Sequence, residues 1–165
     1  MPILQCQGLT KNFGAFCALD HVDLTIEPGR IVGLLGPNGS GKTTLIKLAN
    51  GLLQPTFGSI LIDGSAPSPK THALVSYLPE RIALVSWMNA RQLMDFYGDF
   101  YADFQREAAE QMVAQLQLPL GQSVKQMSKG TREKLQLILT MSRKAKLYLL
   151  DEPIGGVDPA TRDYI

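Results

Sequence analysis

Two short stretches of this chain combine residue types that could handle phosphate groups. The first runs from Gly36 to Thr43 and fits the pattern G-x-x-x-x-G-K-[ST]. In a loop of this kind the glycines allow tight turns, so that successive backbone N–H groups converge on phosphate oxygens. Lys42 would reach the β- and γ-phosphates, and the Thr43 hydroxyl would coordinate Mg²⁺. The residues predicted to bind the nucleotide here are Gly36, Pro37, Asn38, Gly39, Ser40, Gly41, Lys42, Thr43 and Thr44.

The residues on either side of this loop support the same interpretation. Residues 30–35 are a short apolar run that predicts a buried strand. The residues after the loop recur at helical spacing: Leu45, Leu48, Ala49 and Leu52. A helix that begins near Lys42 would turn the positive end of its dipole toward the bound anion. A glycine-rich turn that matches by chance is the alternative, and the flanking strand and helix argue against it. The sequence therefore predicts a nucleotide-binding site.

The second stretch is Asp151-Glu152, which follows the predicted strand 146–150. The first carboxylate after such a strand can hold a metal through water, and the next can polarise the attacking water. Taken alone, the pattern is also that of an ordinary strand ending in two solvated acids. The phosphate loop upstream and Pro153 directly after the pair favour the catalytic interpretation. We therefore predict that Asp151 binds metal and that Glu152 is the general base.

Composition limits the class of protein. The 165 residues suit one domain, with 45% hydrophobic and 19% charged residues, as in ordinary globular chains. A net charge of +1 gives no electrostatic reason to expect nucleic acid as a partner. Cys6 and Cys17 are too few for a disulfide scaffold and are predicted to be reduced and buried. We find neither an apolar run of about 18 residues nor a targeting pattern. The prediction is a cytoplasmic protein that reaches a membrane only through a partner.

The remaining patterns predict the elements that position these residues. Alternating apolar and polar residues or short apolar runs predict strands at 3–9, 16–19, 22–26, 59–64 and 74–78. The stretch 65–70 is predicted to be a loop. From residue 89 to 118 the pattern becomes helical, and a second helical run follows Ser128. The predicted apolar helix positions are Phe104, Ala108, Ala109, Met112, Val113 and Leu116, then Leu135, Ile138 and Leu139. The layout is an antiparallel β-region, a parallel core and a helical insertion at about 89–145.

With these pieces in order, the chain resembles the ATP-binding subunits of ATP-binding-cassette (ABC) transporters over almost its whole length. Phe13 occupies the position where that family places an aromatic residue that stacks on adenine. Glu80 stands where the family usually has a glutamine that contacts metal and water. Residues 127–131, Met-Ser-Lys-Gly-Thr, align with the Leu-Ser-Gly-Gly-Gln signature, and residues 155–158 resemble the loop that crosses the dimer interface. Each piece is weak alone, and their common order excludes other phosphate-loop families.

The resemblance implies a fold and a set of roles. The fold would be α/β: a P-loop NTPase core of the ABC type, with an N-terminal antiparallel β-subdomain and a helical insertion at 89–145, within one ABC-type domain at 1–165. ATP and Mg²⁺ would be the cofactors. Lys42 would act on the γ-phosphate and Glu152 as base. The implied metal ligands are Thr43, Glu80 and Asp151. Phe13, Glu80, Ser128 and Gly130 would complete the nucleotide contacts.

The family also implies how the protein works. Two cassettes would pair head to tail, so that Ser128 and Gly130 of one subunit close over the γ-phosphate bound at Lys42 of the other. ATP would hold the dimer together and its hydrolysis would release it, which drives an integral membrane permease. Simpler explanations exist for single residues: Phe13 could be a core residue, Glu80 a solvated loop acid, and Ser128 only a helix N-cap. A serine that caps the helix can also face a phosphate, so the two interpretations of Ser128 are compatible.

The chain departs from the family pattern in several places. Lys129 replaces the first signature glycine and could strengthen pairing, although we favour a side chain that points to solvent. Thr131 replaces a glutamine, and Glu80 replaces an amide with a carboxylate that suits Mg²⁺. Residues 77–80 resemble the exporter-like branch. The family continues past the 155–158 loop into a further strand and a switch histidine, neither of which precedes Ile165. We therefore expect a C-terminally truncated domain that retains nearly all ATP contacts, with turnover by the chain alone in doubt.

Two other functions remain open on the sequence. A soluble ABC-type ATPase that acts on ribosomes or DNA would share every motif, although the neutral charge balance and the single-cassette length argue against it. A non-catalytic module that binds nucleotide and regulates a partner would also fit. A small-molecule kinase does not fit, because it has no use for the motif at Ser128.

Overall fold

The structure, a computed structural model, describes residues 1–152. The predicted interface loop at 155–158 and the chain end lie outside these residues. The backbone divides between Val75 and Ser76 into two compact units.

The first unit is built on a three-stranded antiparallel sheet in the order β2-β1-β3. Its strands are β1 (Leu4–Phe13), β2 (Phe16–Ile26) and β3 (Phe57–Ile62). The central strand pairs along almost its full length with both neighbours, which confirms the predicted strands at 3–9 and 59–64. The two runs predicted at 16–19 and 22–26 are one continuous strand, which passes His21 at a φ of 45°. Register shifts between β1 and β2 absorb this irregularity.

Helix α1 (Lys42–Ala49) begins at the predicted position, and Leu45, Leu48 and Ala49 on one side of it are buried. The prediction that Leu52 belongs to the same face is wrong, because the helix ends at Ala49 and the side chain of Leu52 is exposed. Gly51 follows the helix with a φ of 68°, a left-handed conformation typical of a helix C-terminus.

The predicted loop at 65–70 contains a helix start that the sequence analysis missed. Helix α2 (Pro69–His72) begins with Ser68 as its N-cap. The Ser68 side chain accepts from the Thr71 backbone amide while the Thr71 hydroxyl accepts from the Ser68 amide, a reciprocal capping box. Two prolines in this stretch favoured a loop, but proline is well tolerated in the first turn of a helix.

The prediction of a buried strand at 30–35 is wrong for the residues that the structure describes. These residues are in no strand, and Ile31, Val32, Leu34 and Leu35 are exposed. The reason is that a strand exists only when another strand pairs with its N–H and C=O groups. Within residues 1–152 no strand lies beside this segment. Its apolar composition suits a buried strand, but composition cannot supply the partner.

The second unit contains a two-stranded sheet and three longer helices. Strand β4 (Val75–Leu78) pairs with β5 (Leu147–Leu150), close to the predicted 74–78 and 146–150. The helices are α3 (Ala90–Phe100), α4 (Arg106–Gln115) and α5 (Lys129–Met141), with a 3₁₀ turn at Val124–Gln126. None of the helices seen in residues 1–152 is both long and apolar enough to cross a bilayer.

The three helices enclose one apolar core. Its buried members are Ala90, Leu93, Met94, Ala109, Val113, Val124, Met127, Leu135, Ile138 and Leu139. On α4 the predicted apolar face is slightly rotated: Ala109 and Val113 are fully buried, whereas Met112 and Leu116 pack at the edge. Asn89 caps α3 by accepting from the Gln92 backbone amide at 2.9 Å, in a second capping box.

An ion pair between buried Arg143 and partly buried Asp103 ties the connection between α3 and α4 to the residues after α5. Arg143, only 4% exposed, donates from Nε to Asp103 Oδ1 at 2.9 Å and from Nη2 to Asp103 Oδ2 at 3.1 Å. Its guanidinium carbon lies 3.9 Å from the centre of the Tyr101 ring. The Lys144 amide also donates to the Asp103 carbonyl, at 2.9 Å. This planar, bidentate arrangement fixes the α3–α4 connection from two directions.

Both cysteines are free thiols, but they differ from the prediction in exposure. Cys6 is buried, and burial together with the charge of Asp23 raises its pKa to about 11. Cys17 is exposed, so the prediction that it is buried is wrong. It lies near the end of the β1–β2 hairpin, beyond the region that the rest of the unit covers.

We predict that Arg143→Ala lowers the free energy of unfolding by about 3 kcal/mol, because it leaves the Asp103 carboxylate without its buried partner. Arg106→Ala is the matched control. Arg106 likewise forms ion pairs, with Asp95 and Glu110, but they lie on the surface. It should cost less than about 1 kcal/mol. Urea unfolding of both variants measures the difference, and equal losses would contradict a special role for the buried pair.

Candidate functional site

The 36–43 loop adopts the conformation that its glycines predict. Gly39 and Gly41 have φ values of 83° and 90°, in the left-handed region that side chains disfavour. The Ser40 amide donates to the Pro37 carbonyl at 3.2 Å, which closes the turn. The loop then leads directly into α1, whose first amides face away from the helix body toward the loop. Such a turn at a helix start is an anion-binding arrangement.

Glycine at 41 is also required by a neighbour. A Cβ atom at this position would lie 2.5 Å from the Ala18 carbonyl oxygen and 2.7 Å from Cδ2 of Leu19. Strand β2 therefore packs against the loop more closely than any side chain allows. At Gly36 the corresponding contact is with the Ser40 hydroxyl, a movable side-chain atom, at 2.6 Å. Gly41 is thus the position that fixes the loop on the sheet.

Lys42 turns back over its own loop. Its ammonium group donates to the carbonyl oxygens of Gly36 at 2.7 Å and of Pro37 at 2.9 Å. The charge is therefore held against the backbone of the same loop by two hydrogen bonds. The N-cap of α1 is Gly41, which makes no side-chain hydrogen bond to the first turn of the helix.

In the second unit, the predicted metal ligands Glu80 and Asp151 follow the ends of strands β4 and β5. The Asp151 amide donates to the Leu78 carbonyl at 3.0 Å, so both strands end at the same edge of the sheet. The Asp151 side chain is buried. Burial, then the charges of Asp151 and of Glu80, raise the pKa of the Tyr77 phenol. The structure thus brings Glu80 and Asp151 to the surroundings of one tyrosine.

Glu152 differs from Asp151 in both exposure and backbone. It is exposed, and its φ of 52° lies in the left-handed region, which is uncommon for a residue with a side chain. The chain therefore turns sharply as it leaves β5, so the two acids do not continue the alternation of the strand. The catalytic role of Glu152 remains a prediction.

Ser128 is the N-cap of α5, which is the simpler of the two roles that the sequence analysis gave it. Its hydroxyl accepts from the Thr131 amide at 3.1 Å and lies 2.8 Å from the Thr131 hydroxyl. The threonine that replaces the signature glutamine therefore contacts the capping serine. Lys129 has a largely exposed side chain, 3.7 Å from Glu133, which agrees with the expectation that it points to solvent. Gly130 lies in the first turn of the helix.

One buried polar residue was missed by the sequence analysis. Gln136 accepts from the Ala83 amide at 2.6 Å, and its side-chain amide nitrogen lies 3.5 Å from the Pro79 carbonyl oxygen. It therefore holds both ends of the loop that carries Glu80 against α5. The signal was present in the sequence as a polar residue within the apolar run 135–139 of the helix. A side-chain amide at a buried position of a helix indicates that it hydrogen-bonds to backbone groups of another segment.

Phe13 lies at the end of β1 with its ring 46% exposed, so it is not the core residue of the simpler interpretation. Lys11 places its ammonium 5.1 Å from the centre of this ring and donates to the Gln54 carbonyl at 2.8 Å. The predicted site residues thus form two groups. The first unit holds Phe13 and the phosphate loop, and the second holds Glu80, Ser128, Gly130, Asp151 and Glu152.

Comparison with known proteins identifies related sequences. The family model described as ABC transporter matches residues 19–155. The probable multidrug ABC transporter ATP-binding protein YbhF of Escherichia coli is 31% identical over 97% of this chain and 29% of its own length. The SkfA peptide export ATP-binding protein SkfE of Bacillus subtilis is 31% identical, over all of this chain and 72% of its own length. The chain thus spans less than a third of the first of these relatives.

The fold is that of solved ATP-binding proteins. A structure described as the ATP-binding subunit of an ABC transporter superposes with a TM-score of 0.87, at 26% identity, over 98% of this chain and 70% of the other. The predicted fold class, a P-loop core of the ABC type, is therefore confirmed.

We predict that Gly41→Ala destabilises the first unit by about 1 to 3 kcal/mol, because the new methyl group meets backbone in a left-handed conformation. Gly33→Ala is the control, since no atom lies within 4 Å of a Cβ there. Chemical unfolding followed by circular dichroism measures both. If Gly41→Ala is as mild as Gly33→Ala, the close packing of β2 against the loop does not exist in solution.

Proposed function

The chain belongs to the ABC transporter family, and from this membership we propose that it binds and hydrolyses ATP to drive transport by a membrane permease. The observation that carries the proposal is the 36–43 loop. It combines two left-handed glycines, an uncapped helix start and a lysine ammonium 2.7 Å from a carbonyl oxygen of its own loop. These are the groups that a triphosphate needs: amide donors, a helix dipole and a mobile cation.

In the proposed mechanism the residues of the phosphate loop bind and orient the nucleotide. Gly36, Gly39 and Gly41 expose the amides, and Lys42 exchanges its two carbonyl partners for β- and γ-phosphate oxygens. Glu152 is the general base that takes the proton of the attacking water. Catalysis in phosphoryl transfer comes mainly from positioning and from electrostatic stabilisation of the phosphate oxygens.

The oxygen donors present fit Mg²⁺. Magnesium is usually held by one or two carboxylates and a substrate phosphate, and it keeps several waters. Thr43, Asp151 and Glu80 would hold the ion. After burial, the charges of Asp151 and Glu80 also raise the pKa of Tyr77. When bound, Mg²⁺ would neutralise charge on the phosphates.

The proposed partners are a second cassette and a permease. Ser128 and Gly130 would act on the nucleotide of the second subunit, in a head-to-tail dimer, where the start of α5 supplies a dipole directed at the γ-phosphate. The name of SkfE refers to peptide export, which supports a transport role. The permease would hold this chain at the cytoplasmic face of a membrane.

We predict that Mg²⁺-ATP raises the melting temperature of the chain and that Lys42→Ala abolishes the rise. At about 100 times the dissociation constant, ATP should add about 2.7 kcal/mol to the free energy of unfolding. Lys47→Ala removes the same charge from the last turn of the same helix and should keep the rise. An ATP response that survives in Lys42→Ala would refute the assignment of the loop.

We predict that Glu152→Gln reduces ATP-dependent phosphate release by about 100-fold or more while the shift in melting temperature remains, because general-base catalysis contributes this much. Glu107→Gln changes an exposed acid on α4 and is the control. If the unmutated chain binds ATP but releases no phosphate, the result favours a module that binds nucleotide and regulates a partner.

A further inference from the structure

The end of the β1–β2 hairpin carries two exposed aromatic rings. Phe13 and Phe16 are register partners on either side of the turn at Gly14, and they are 46% and 61% exposed. Residues directly opposite each other in an antiparallel pair project to the same face, with Cβ atoms about 5 Å apart. The two rings therefore share one face of the hairpin, and neither packs on another aromatic ring in the first unit as far as residue 75.

A bulge connects this face to the phosphate loop. The register runs from Asn12↔Cys17 to Lys11↔Leu19, so Ala18 is the extra residue of β2. Because Lys11 and Phe13 are two residues apart on β1, they project to the same face, and their partners Leu19 and Phe16 do so too. Without the extra residue, Phe16 and Leu19 would point to opposite faces.

Leu19 marks where this face meets the loop. Its Cδ2 atom would lie 2.7 Å from a Cβ at Gly41, and the Ala18 carbonyl oxygen would lie 2.5 Å from it. The Phe13–Phe16 pair is two residues of β1, roughly 7 Å, further along the hairpin. The two rings therefore lie on the same face of the hairpin as Leu19, which contacts the phosphate loop.

One side of the Phe13 ring is already covered. The Lys11 ammonium lies 5.1 Å from the ring centre and is fixed by its bond to the Gln54 carbonyl. A cation on one face of an aromatic ring is favourable and leaves the opposite face for another planar group. Phe16 stands next to Phe13 and has no such cover.

We infer that Phe16 is a second base-binding residue, which holds the purine of a nucleoside triphosphate together with Phe13 while the 36–43 loop binds the phosphates. Stacking on two phenyl rings recognises the flat face of a base and not its edge. Phe16 therefore contributes affinity for any purine and little discrimination between adenine and guanine. The inference rests on the proposed function, because it requires the triphosphate to occupy the loop.

The test compares ligands with and without a base. Binding of ATP, GTP and inorganic tripolyphosphate, each with Mg²⁺, is measured by calorimetry on the full chain and on Phe16→Ala. Phe16→Ala should weaken ATP and GTP about tenfold, as expected for the loss of one stacking contact, and leave tripolyphosphate unchanged. Phe16→Tyr retains the ring and should restore binding.

Phe57→Ala is the matched control. Phe57 is 64% exposed and lies on β3, at the opposite edge of the same sheet, where it pairs with Thr10. It should leave all three affinities unchanged. Equal weakening of ATP and tripolyphosphate by Phe16→Ala would overturn the inference, because the ring would then act through the fold of the loop.

The outcomes separate this inference from the proposed function. If Lys42→Ala abolishes binding of ATP and Phe16→Ala has no effect on it, the base-binding role is overturned and the assignment of the loop stands. If Lys42→Ala leaves ATP binding intact, the proposed function fails, and the inference fails with it.

Discussion

The close approach of strand β2 to Gly41 is the constraint on which the first unit depends. The Ala18 carbonyl and the Leu19 side chain occupy the space where any other residue would carry its Cβ atom. This contact sets where α1 begins relative to the sheet, and it holds the loop in a left-handed turn that only glycine adopts without cost. The amides of the loop are therefore positioned by packing, which is the form of preorganisation that the proposed binding of a phosphate requires.

The second unit positions its polar groups in a different way, through hydrogen bonds made by side chains. Gln136 holds the Glu80 loop, Ser128 starts α5, and Arg143 secures the α3–α4 connection. All three groups are attached to α5 or to the residues that follow it. The apolar core around Leu135 and Leu139 fixes the helix itself, so these polar contacts share one rigid support.

Much of this arrangement could be predicted from local patterns. The spacing of glycines and lysine at 36–43, the helical period from Leu45 and the serine before α5 each depend on residues within a few positions of one another. The predictions that failed concern features that depend on partners elsewhere in the fold. Residues 30–35 have the composition of a buried strand, but burial requires a neighbouring strand that local sequence does not specify. The bulge at Ala18 is defined by the register of β2 on β1, which the strand patterns do not fix. Gln136 was visible as a polar residue in an apolar run, but the backbone groups that it bonds lie 53 and 57 positions away in the chain. The chemical roles of the site residues remain predictions.

Gln136 has a mechanical consequence. It lies about 12 Å along the axis of α5 from Ser128, at a helical rise of 1.5 Å per residue. A helix is stiff over this length, so α5 moves as a rigid rod. Ser128 lies at its start, and Gln136 further along makes the hydrogen bonds to Pro79 and Ala83. A tilt of the helix that begins at its serine end displaces the Glu80 loop in the same motion, unless the two amide contacts break. Any force applied at the start of α5 is therefore transmitted to a carboxylate that is distant from it in sequence.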